Sequence, residues 1–168
     1  LIESGVCEAA VVGGADSLCR MTLHGFAALD LISRDPCRPC DAARSGISIG
    51  EAAGFALLER TESEGGTGVA LLGCGATSDG YHMSAPDPQG VGAAAAMRQA
   101  LRSAGVAPEA IDYVNLHGTG TRANDAMEDI AVAGVFGTAT ACSSTKAWSG
   151  HTLGASGILE AAIAVLAI

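Results

Sequence analysis

The first part of the chain places apolar runs, glycine-rich turns and helix-compatible stretches in a regular order. The run "EAAVVGGAD" at 8–16 is typical of a buried strand that leads into a glycine turn. In "LHGFAALDLI" at 23–32, apolar residues recur at helical spacing, which predicts an amphipathic helix. "GISIGEAAGFALLER" at 46–60 is predicted to be partly strand, and "TESEGGTG" at 61–68 to be a linker.

The same order returns in the second part of the chain. "VALLGCGATS" at 69–78 predicts a strand, and 91–105 predicts a helix that Gly105 ends. The segment 111–121 predicts a strand that delivers His117 to a turn of glycines and threonines. A further helix is predicted at 124–136, with Asn124 or Asp125 as its N-cap.

Strands that alternate with helices predict an α/β layered fold with a parallel or mixed buried sheet. Ligands of such folds collect at the carboxyl ends of the strands. His117, at the end of a predicted strand, is therefore placed where chemistry is expected.

Composition narrows the class of protein. The 168 residues are 49% hydrophobic and include 23 glycines, which predicts one globular domain with its own core. The chain starts at Leu1 and stops at Ile168 inside an apolar run without a helix stop signal, so we expect a piece of a longer protein. That run contains Glu160 and is shorter than the roughly 20 residues of a membrane span. No signal-peptide pattern opens the chain.

The charge and the cysteine content of the chain exclude several classes of partner and of metal or disulfide protein. A net charge of −9 argues against nucleic acid or an anionic membrane as the main partner. The nine basic residues include a single lysine, Lys146, between serines and a histidine, which favours a role in a site. Six cysteines without the spacing of a small disulfide scaffold predict free thiols in a reducing compartment. Cys37 and Cys40 are predicted to be two packed thiols in a loop rather than metal ligands.

The segment "CSSTKAWSGH" at 142–151 admits three interpretations. Ser143 to Lys146 matches the Ser-x-x-Lys motif of serine β-lactamases, but their Lys-Thr-Gly element is absent because Ala147 follows the only lysine. In the second interpretation Cys142 is a nucleophile that His151 or Lys146 activates. In the third, these two residues and His117 form the acid/base and electrostatic half of a site whose thiol is not among these residues.

Two motifs carry a resemblance to a known family. "NLHGTGTRANDAMED" at 115–129 and "SSTKAWSGHTLGASGILEA" at 143–161 resemble the β-ketoacyl-(acyl carrier protein) synthases, and 38–60 and 77–90 are similar to that family as well. The resemblance implies a partial thiolase-like layered αβαβα fold. Residues 1–65 would end its N-terminal half, and residues 66–168 would form the beginning and middle of its C-terminal half.

The resemblance also implies a reaction. Such enzymes carry out a decarboxylative Claisen condensation of malonyl thioester with an acyl-enzyme, which extends a fatty acid or polyketide. Their nucleophilic cysteine would lie upstream of Leu1, so Cys142 is expected to be a small buried thiol and the chain alone to be inactive. A non-catalytic homologue of the chain-length-factor type stays open as an alternative, whereas the lysine-containing motif disfavours a thiolase acting on coenzyme A thioesters.

Roles for individual residues follow from the same resemblance. The expected catalytic residues are His117, His151 and Lys146, with the histidines as N–H donors to a thioester oxygen and the lysine as an electrostatic group. Supporting carboxylates and substrate-binding residues complete the expected site: Glu160, Asp125 and Glu128, and Thr119, Thr121, Asp79 and His82. His82 is equally consistent with a structural histidine, and His24 receives no role.

The implied partners are an acyl carrier protein and a second ketosynthase-type subunit, in a homodimer or heterodimer in the cytoplasm. No metal or cofactor is expected beyond the phosphopantetheine arm of the carrier protein, and no nucleic acid or membrane. Arg20, Arg98 and Arg102 are candidates for carrier docking. The chain departs from the family pattern near the acyl pocket, which predicts unusual acyl specificity. The departures are at Cys40, at Ser45, and at Ile47 or Ile49.

Overall fold

The computed structural model describes residues 1–60 and 68–168. The chain order of its strands and longer helices is β1 (Ala9–Asp16), α1 (Arg20–Ala28), β2 (Ala52–Glu59), α2 (Val91–Ala104), β3 (Tyr113–Asn115), α3 (Arg122–Phe136), β4 (Ala141–Ser143), α4 (Lys146–Ser149) and α5 (Ser156–Ala167). Two short 3₁₀ turns, Pro108–Ala110 and Leu153–Ala155, precede β3 and α5. The predicted linker at 61–68 lies outside the described residues except for Gly68.

Strands β1 and β2 form an antiparallel pair whose register runs from Ala9 opposite Glu59 to Asp16 opposite Ala52. One face of the pair packs against α5 and the turn before it, because glycines allow close approach. A Cβ on Gly14 would lie 2.2 Å from the carbonyl oxygen of Gly154. The other face exposes apolar side chains, Val11, Phe55 and Leu57.

Strands β3 and β4 form a parallel pair that starts with Tyr113 opposite Ala141. The N–H of Leu116 bonds the carbonyl of Ser143 at 2.8 Å, one step beyond β3. His117 and Ser144 therefore follow directly after two adjacent strands, and β3 delivers His117 to the turn as predicted.

Three sequence predictions about the elements are wrong. Residues 69–78 form no strand; Gly73 and Gly75 lie against the backbone of α2, and no described strand supplies the pairing partners that a strand needs. In the described residues the sheets are two separate strand pairs, one antiparallel and one parallel, rather than one parallel or mixed buried sheet. The N-cap of α3 is Thr121, whose side chain accepts the N–H of Asn124.

Two of the cysteine predictions are also wrong. Cys142 is exposed rather than buried, because its side chain lies on an exposed strand of the small parallel pair. Cys37 is buried and donates its S–H to the carbonyl of Thr119 at 3.2 Å, as expected for a packed thiol. Cys40, in the same loop, is exposed and adopts a positive φ of 62°.

The described part of the core combines a few apolar residues with an unusual number of polar ones. The fully buried residues with the largest side chains are Lys146 and Thr152. None of the helices in the ranges 1–60 and 68–168 has the length and apolar character needed to cross a bilayer. Within the same ranges, no cluster of three or more histidine, cysteine or acidic side chains is arranged to hold a metal ion.

Candidate active site

Two histidines from distant parts of the chain meet at one cavity. The ring centroids of His117 and His151 lie 5.1 Å apart with their planes at 83°. Both rings line a cavity of about 520 Å³. The remaining lining residues come from four other segments: Phe26, Asp30 and Leu31; Ser45, Gly46 and Ile47; Ser84, Ala85 and Pro86; and Thr119, Thr121, Arg122, Ala123 and Asn124.

The loop that carries His117 is fixed by a carboxylate and a hydroxyl. Glu128 of α3 accepts the backbone N–H of His117 at 2.6 Å and that of Gly118 at 2.7 Å. On the other side, the hydroxyl of Ser144 donates to the carbonyl of Gly118 at 2.7 Å. Gly118 has a φ of 38°, and a Cβ there would meet the Ser144 side chain at 2.4 Å, so the loop requires glycine.

His151 is held through its backbone and through one ring nitrogen. Its N–H bonds the carbonyl of Ser48 at 2.7 Å, and its carbonyl accepts the N–H of Gly50 at 3.1 Å. Its Nδ1 lies 3.0 Å from the hydroxyl of Ser156 and 3.4 Å from the N–H of Leu153. A nitrogen that accepts a backbone N–H carries no proton, so the proton of the neutral ring is on Nε2.

The surroundings keep both imidazoles neutral. Loss of water around the ring, the neighbouring His117 and the Lys146 cation lower the pKa of His151 from 6.5 to about 4. Loss of water and Lys146 lower the pKa of His117 as well, although Glu160 and Asp125 oppose them. The His117 side chain is accessible from the cavity, so solvent moderates this shift without reversing its direction. Both rings are therefore neutral N–H donors near pH 7.

Lys146 lies behind the histidines and is almost completely buried, with 1% of its surface accessible. Its ammonium forms an ion pair with Glu160 of α5. The side-chain amide of Asn115 bonds the backbone carbonyl of Glu160 at 3.4 Å, which ties α5 to β3. A buried cation with a carboxylate partner is stable as an ion, so Lys146 acts as a fixed positive charge.

Asp125 joins two loops at the base of the site. It accepts the backbone N–H of Cys40 at 2.8 Å and of Gly120 at 3.2 Å. The guanidinium of Arg44 lies 3.6 Å from the same carboxylate. Asp125 and Glu128 thus bind the backbone around the histidine loop, while the carboxylate that partners the lysine is Glu160.

The predicted substrate-binding residues divide into two groups. Thr119 and Thr121 line the cavity, and their hydroxyl oxygens lie 3.0 Å apart. Asp79 and His82 are not part of the cavity wall: Asp79 accepts the N–H groups of Tyr81 and Asp87, and His82 accepts the N–H of Ser84. They shape the loop that brings residues 84–86 to the cavity.

Sequence reasoning missed two residues that position the histidines. Ser144 bonds both the histidine loop and the N–H of Lys146, the latter at 3.3 Å. Ser156 bonds Nδ1 of His151. The sequence did contain a signal for Ser156: it lies five residues after His151, and a turn followed by a helix brings its hydroxyl back to the histidine ring.

The family model described as "Beta-ketoacyl synthase, C-terminal domain" matches residues 69–168, and the one described as "Beta-ketoacyl synthase, N-terminal domain" matches residues 1–64. The chain belongs to the β-ketoacyl synthase family. One curated relative is the 3-oxoacyl-[acyl-carrier-protein] synthase 2 of Staphylococcus aureus, with 36% identity over 181 residues. The alignment covers 100% of this chain and 45% of that protein, so the chain spans less than half the length of its relative.

Solved ketosynthase structures have the same fold. The ketosynthase ApeO in complex with its chain length factor ApeC, from Xenorhabdus doucetiae, matches with a TM-score of 0.92 and 52% identity, covering 96% of this chain and 40% of that one. A β-ketoacyl synthase from Burkholderia phymatum STM815 matches with a TM-score of 0.89 and 37% identity, covering 98% and 42%. These matches confirm the predicted thiolase-like α/β fold, of which this chain forms a part.

Proposed function

We propose that the protein containing this chain is a β-ketoacyl-acyl carrier protein synthase, which condenses malonyl carrier thioester with an acyl-enzyme to form a β-ketoacyl carrier thioester. The observation that supports this most strongly is the pair of neutral histidines, 5.1 Å apart, that face one cavity with the buried Lys146 cation behind them. We also propose that residues 1–65 end the N-terminal half of the synthase and that residues 66–168 form the beginning and middle of its C-terminal half.

The proposed role of the histidines is in the decarboxylation step, which their position at one cavity supports. The bond between the malonyl α-carbon and its carboxylate breaks, carbon dioxide leaves, and the electron pair moves into an enolate with negative charge on the thioester oxygen. Nε2–H of His151 and an N–H of His117 are the donors for that oxygen, and neutral donors stabilise the developing charge without binding the ground-state carboxylate strongly. Loss of water around the rings favours their neutral form, and Lys146 adds to this by raising the cost of protonating them.

The enolate carbon then attacks the carbonyl of the acyl-enzyme. The new carbon–carbon bond forms as the bond between acyl carbon and enzyme sulfur breaks, and the thiolate leaves. Among residues 1–60 and 68–168, no cysteine lines the cavity wall. We therefore assign the nucleophile to a cysteine of the protein outside these 168 residues, and we expect the chain alone to be inactive.

The proposed partners follow from the proposed reaction and from the relatives' names. Malonyl and acyl groups would arrive on the phosphopantetheine arm of an acyl carrier protein, and the enzyme itself would need no metal or cofactor. A homodimer, or a heterodimer with a ketosynthase homologue, is the proposed assembly, and ApeO is bound to such a partner. The proposed location is the cytoplasm, with no nucleic acid or membrane partner.

A non-catalytic subunit of the chain-length-factor type is the second candidate, because ApeO is bound to a subunit named as a chain length factor. A subunit that only shapes a partner's pocket has no need of two neutral imidazoles and a buried cation at one cavity. Their presence here favours the catalytic role.

The test is the condensation itself with the full-length protein. Acyl and malonyl carrier proteins are incubated with it, and the carrier-bound product is identified by mass spectrometry. The proposal predicts a β-ketoacyl product and one carbon dioxide for each condensation. A properly folded protein that yields no product alone, but supports condensation by a partner even after its own His117 and His151 are replaced by alanine, would establish the second candidate instead.

A further inference from the structure

The wall of the active-site cavity carries two charged side chains from different elements, in addition to the neutral histidines. Arg122 is the first residue of α3, and Asp30 follows α1. Both are exposed. Within the described ranges, no acidic group pairs with the Arg122 guanidinium within 4.0 Å, and Asp30 forms no ion pair either.

Arg122 lies on the solvent-exposed side of the cavity wall. It lines the cavity together with Thr119 and Thr121, begins α3 five residues after His117, and is exposed. This exposed part of the wall is called the mouth. An unpaired arginine in that position has its donors available to a ligand that enters the cavity.

The proposed substrates present an anion at the corresponding end. In a phosphopantetheine thioester the reacting carbonyl is at one end, amides follow, and a phosphate is at the other end. A guanidinium binds phosphate through charge and two parallel N–H donors. With the carbonyl at the histidines and the amides beside Thr119 and Thr121, the phosphate is the end of the arm that faces solvent, where Arg122 is exposed.

Resting on the proposed function, we propose that Arg122 binds the substrate's phosphate at the cavity mouth and makes the enzyme prefer phosphopantetheine thioesters over unphosphorylated pantetheine thioesters. The negative charge of Asp30, on the wall of the same cavity, opposes phosphate binding, so it limits this preference. The two residues therefore set the affinity for the arm without taking part in the chemistry.

The experiment compares malonyl-phosphopantetheine with malonyl-pantetheine in carbon dioxide release by the full-length protein. Arg122→Gln is expected to reduce the ratio of kcat/KM for the two substrates about fivefold, the effect of one exposed charge pair, through KM and not kcat. Arg122→Lys should retain most of the preference, and Asp30→Asn should increase it. Arg60→Gln, at an exposed arginine outside the cavity wall, is the matched control and should leave the ratio unchanged.

An unchanged ratio in Arg122→Gln, with both substrates still decarboxylated, would overturn this inference and leave the proposed function intact. The same holds if Arg122→Gln weakens only carrier-loaded substrate, because Arg122 would then contact the carrier protein. If the wild-type protein decarboxylates neither substrate, the proposed function fails and this inference fails with it.

Discussion

Glu128 and His117 are joined through the backbone: the carboxylate of Glu128 accepts the N–H of His117 at 2.6 Å. The second oxygen of the same carboxylate accepts the N–H of Gly118 at 2.7 Å. One buried side chain of α3 thereby fixes two consecutive residues of the loop that carries a proposed catalytic ring. The position of His117 is set by the helix, and the ring itself stays open to the cavity.

Replacing Glu128 by glutamine should destabilise the protein. The glutamine amide offers one acceptor oxygen instead of two, so one buried N–H loses its partner, at a cost of about 1–3 kcal/mol in the free energy of unfolding. Urea denaturation of the full-length protein measures the change. Glu109→Gln, at an exposed position, should differ from wild type by less than about 0.5 kcal/mol. Equal effects of the two substitutions would contradict the role given to Glu128.

Removing Lys146 should destabilise the fold and alter the histidines together. Lys146→Met leaves Glu160 in the interior without its cation, which costs about 3–5 kcal/mol for a buried pair; the partial exposure of Glu160 places the effect at the lower end. It also removes a charge that lowers the pKa of His117, so that pKa should rise. Denaturation and NMR titration measure the two effects.

The double variant Lys146→Met with Glu160→Gln separates stability from chemistry. It should recover part of the lost stability, because the unpaired charge is gone. It should not recover decarboxylation, because the cation beside the rings is still missing. Recovery of activity with stability would mean that Lys146 has only a structural role.

Gly118→Ala should cost more stability than the same substitution at Gly105. Both glycines have positive φ, so both alanines adopt an unfavourable backbone conformation, at about 1–2 kcal/mol. Only at Gly118 would the new Cβ collide with Ser144, whereas at Gly105 no atom lies within 4 Å. The difference between the two variants in urea denaturation therefore isolates this crowding. Equal costs would show that Ser144 can move aside freely.

The position of the site was predictable because two short segments carry its chemistry. The segments 115–121 and 143–151 each begin at the last residue of a short strand. Parallel pairing of those two strands brings the segments together. The helix at 91–105 and its end at Gly105 were equally predictable, because Gly105 adopts a φ of 66° at the C-cap.

The failures share a cause in tertiary structure. Residues 69–78 have the apolar composition of a strand, yet an assignment as strand requires a neighbouring strand, and composition does not show whether one is present. Asn124 and Asp125 are good N-caps by residue type, but their side chains bond other groups, and Thr121 caps the helix instead. The sequence pattern predicted the helix that carries Glu128. It did not show that Glu128 bonds the backbone of His117.

Stability should fall in mild acid because of His151. Folding lowers its pKa from 6.5 to about 4, so in this window the unfolded chain binds a proton that the folded protein does not. The free energy of unfolding should therefore decrease as pH falls from about 6.5 to about 4. His151→Gln should show a smaller decrease over the same range when denaturation is repeated at several pH values. An identical pH dependence in the two proteins would mean that His151 is not held neutral.

Carbon dioxide release from malonyl thioester by the full-length protein tests the central claim most directly, because it isolates the step assigned to the histidines. Removal of a preorganised donor to a developing oxyanion costs about 10²–10³-fold in rate, so His117→Ala and His151→Ala should each slow the release by that factor. His24→Ala, which removes an exposed histidine outside the cavity, should release carbon dioxide at the wild-type rate. Release near the wild-type rate in folded His117→Ala and His151→Ala proteins would contradict the account.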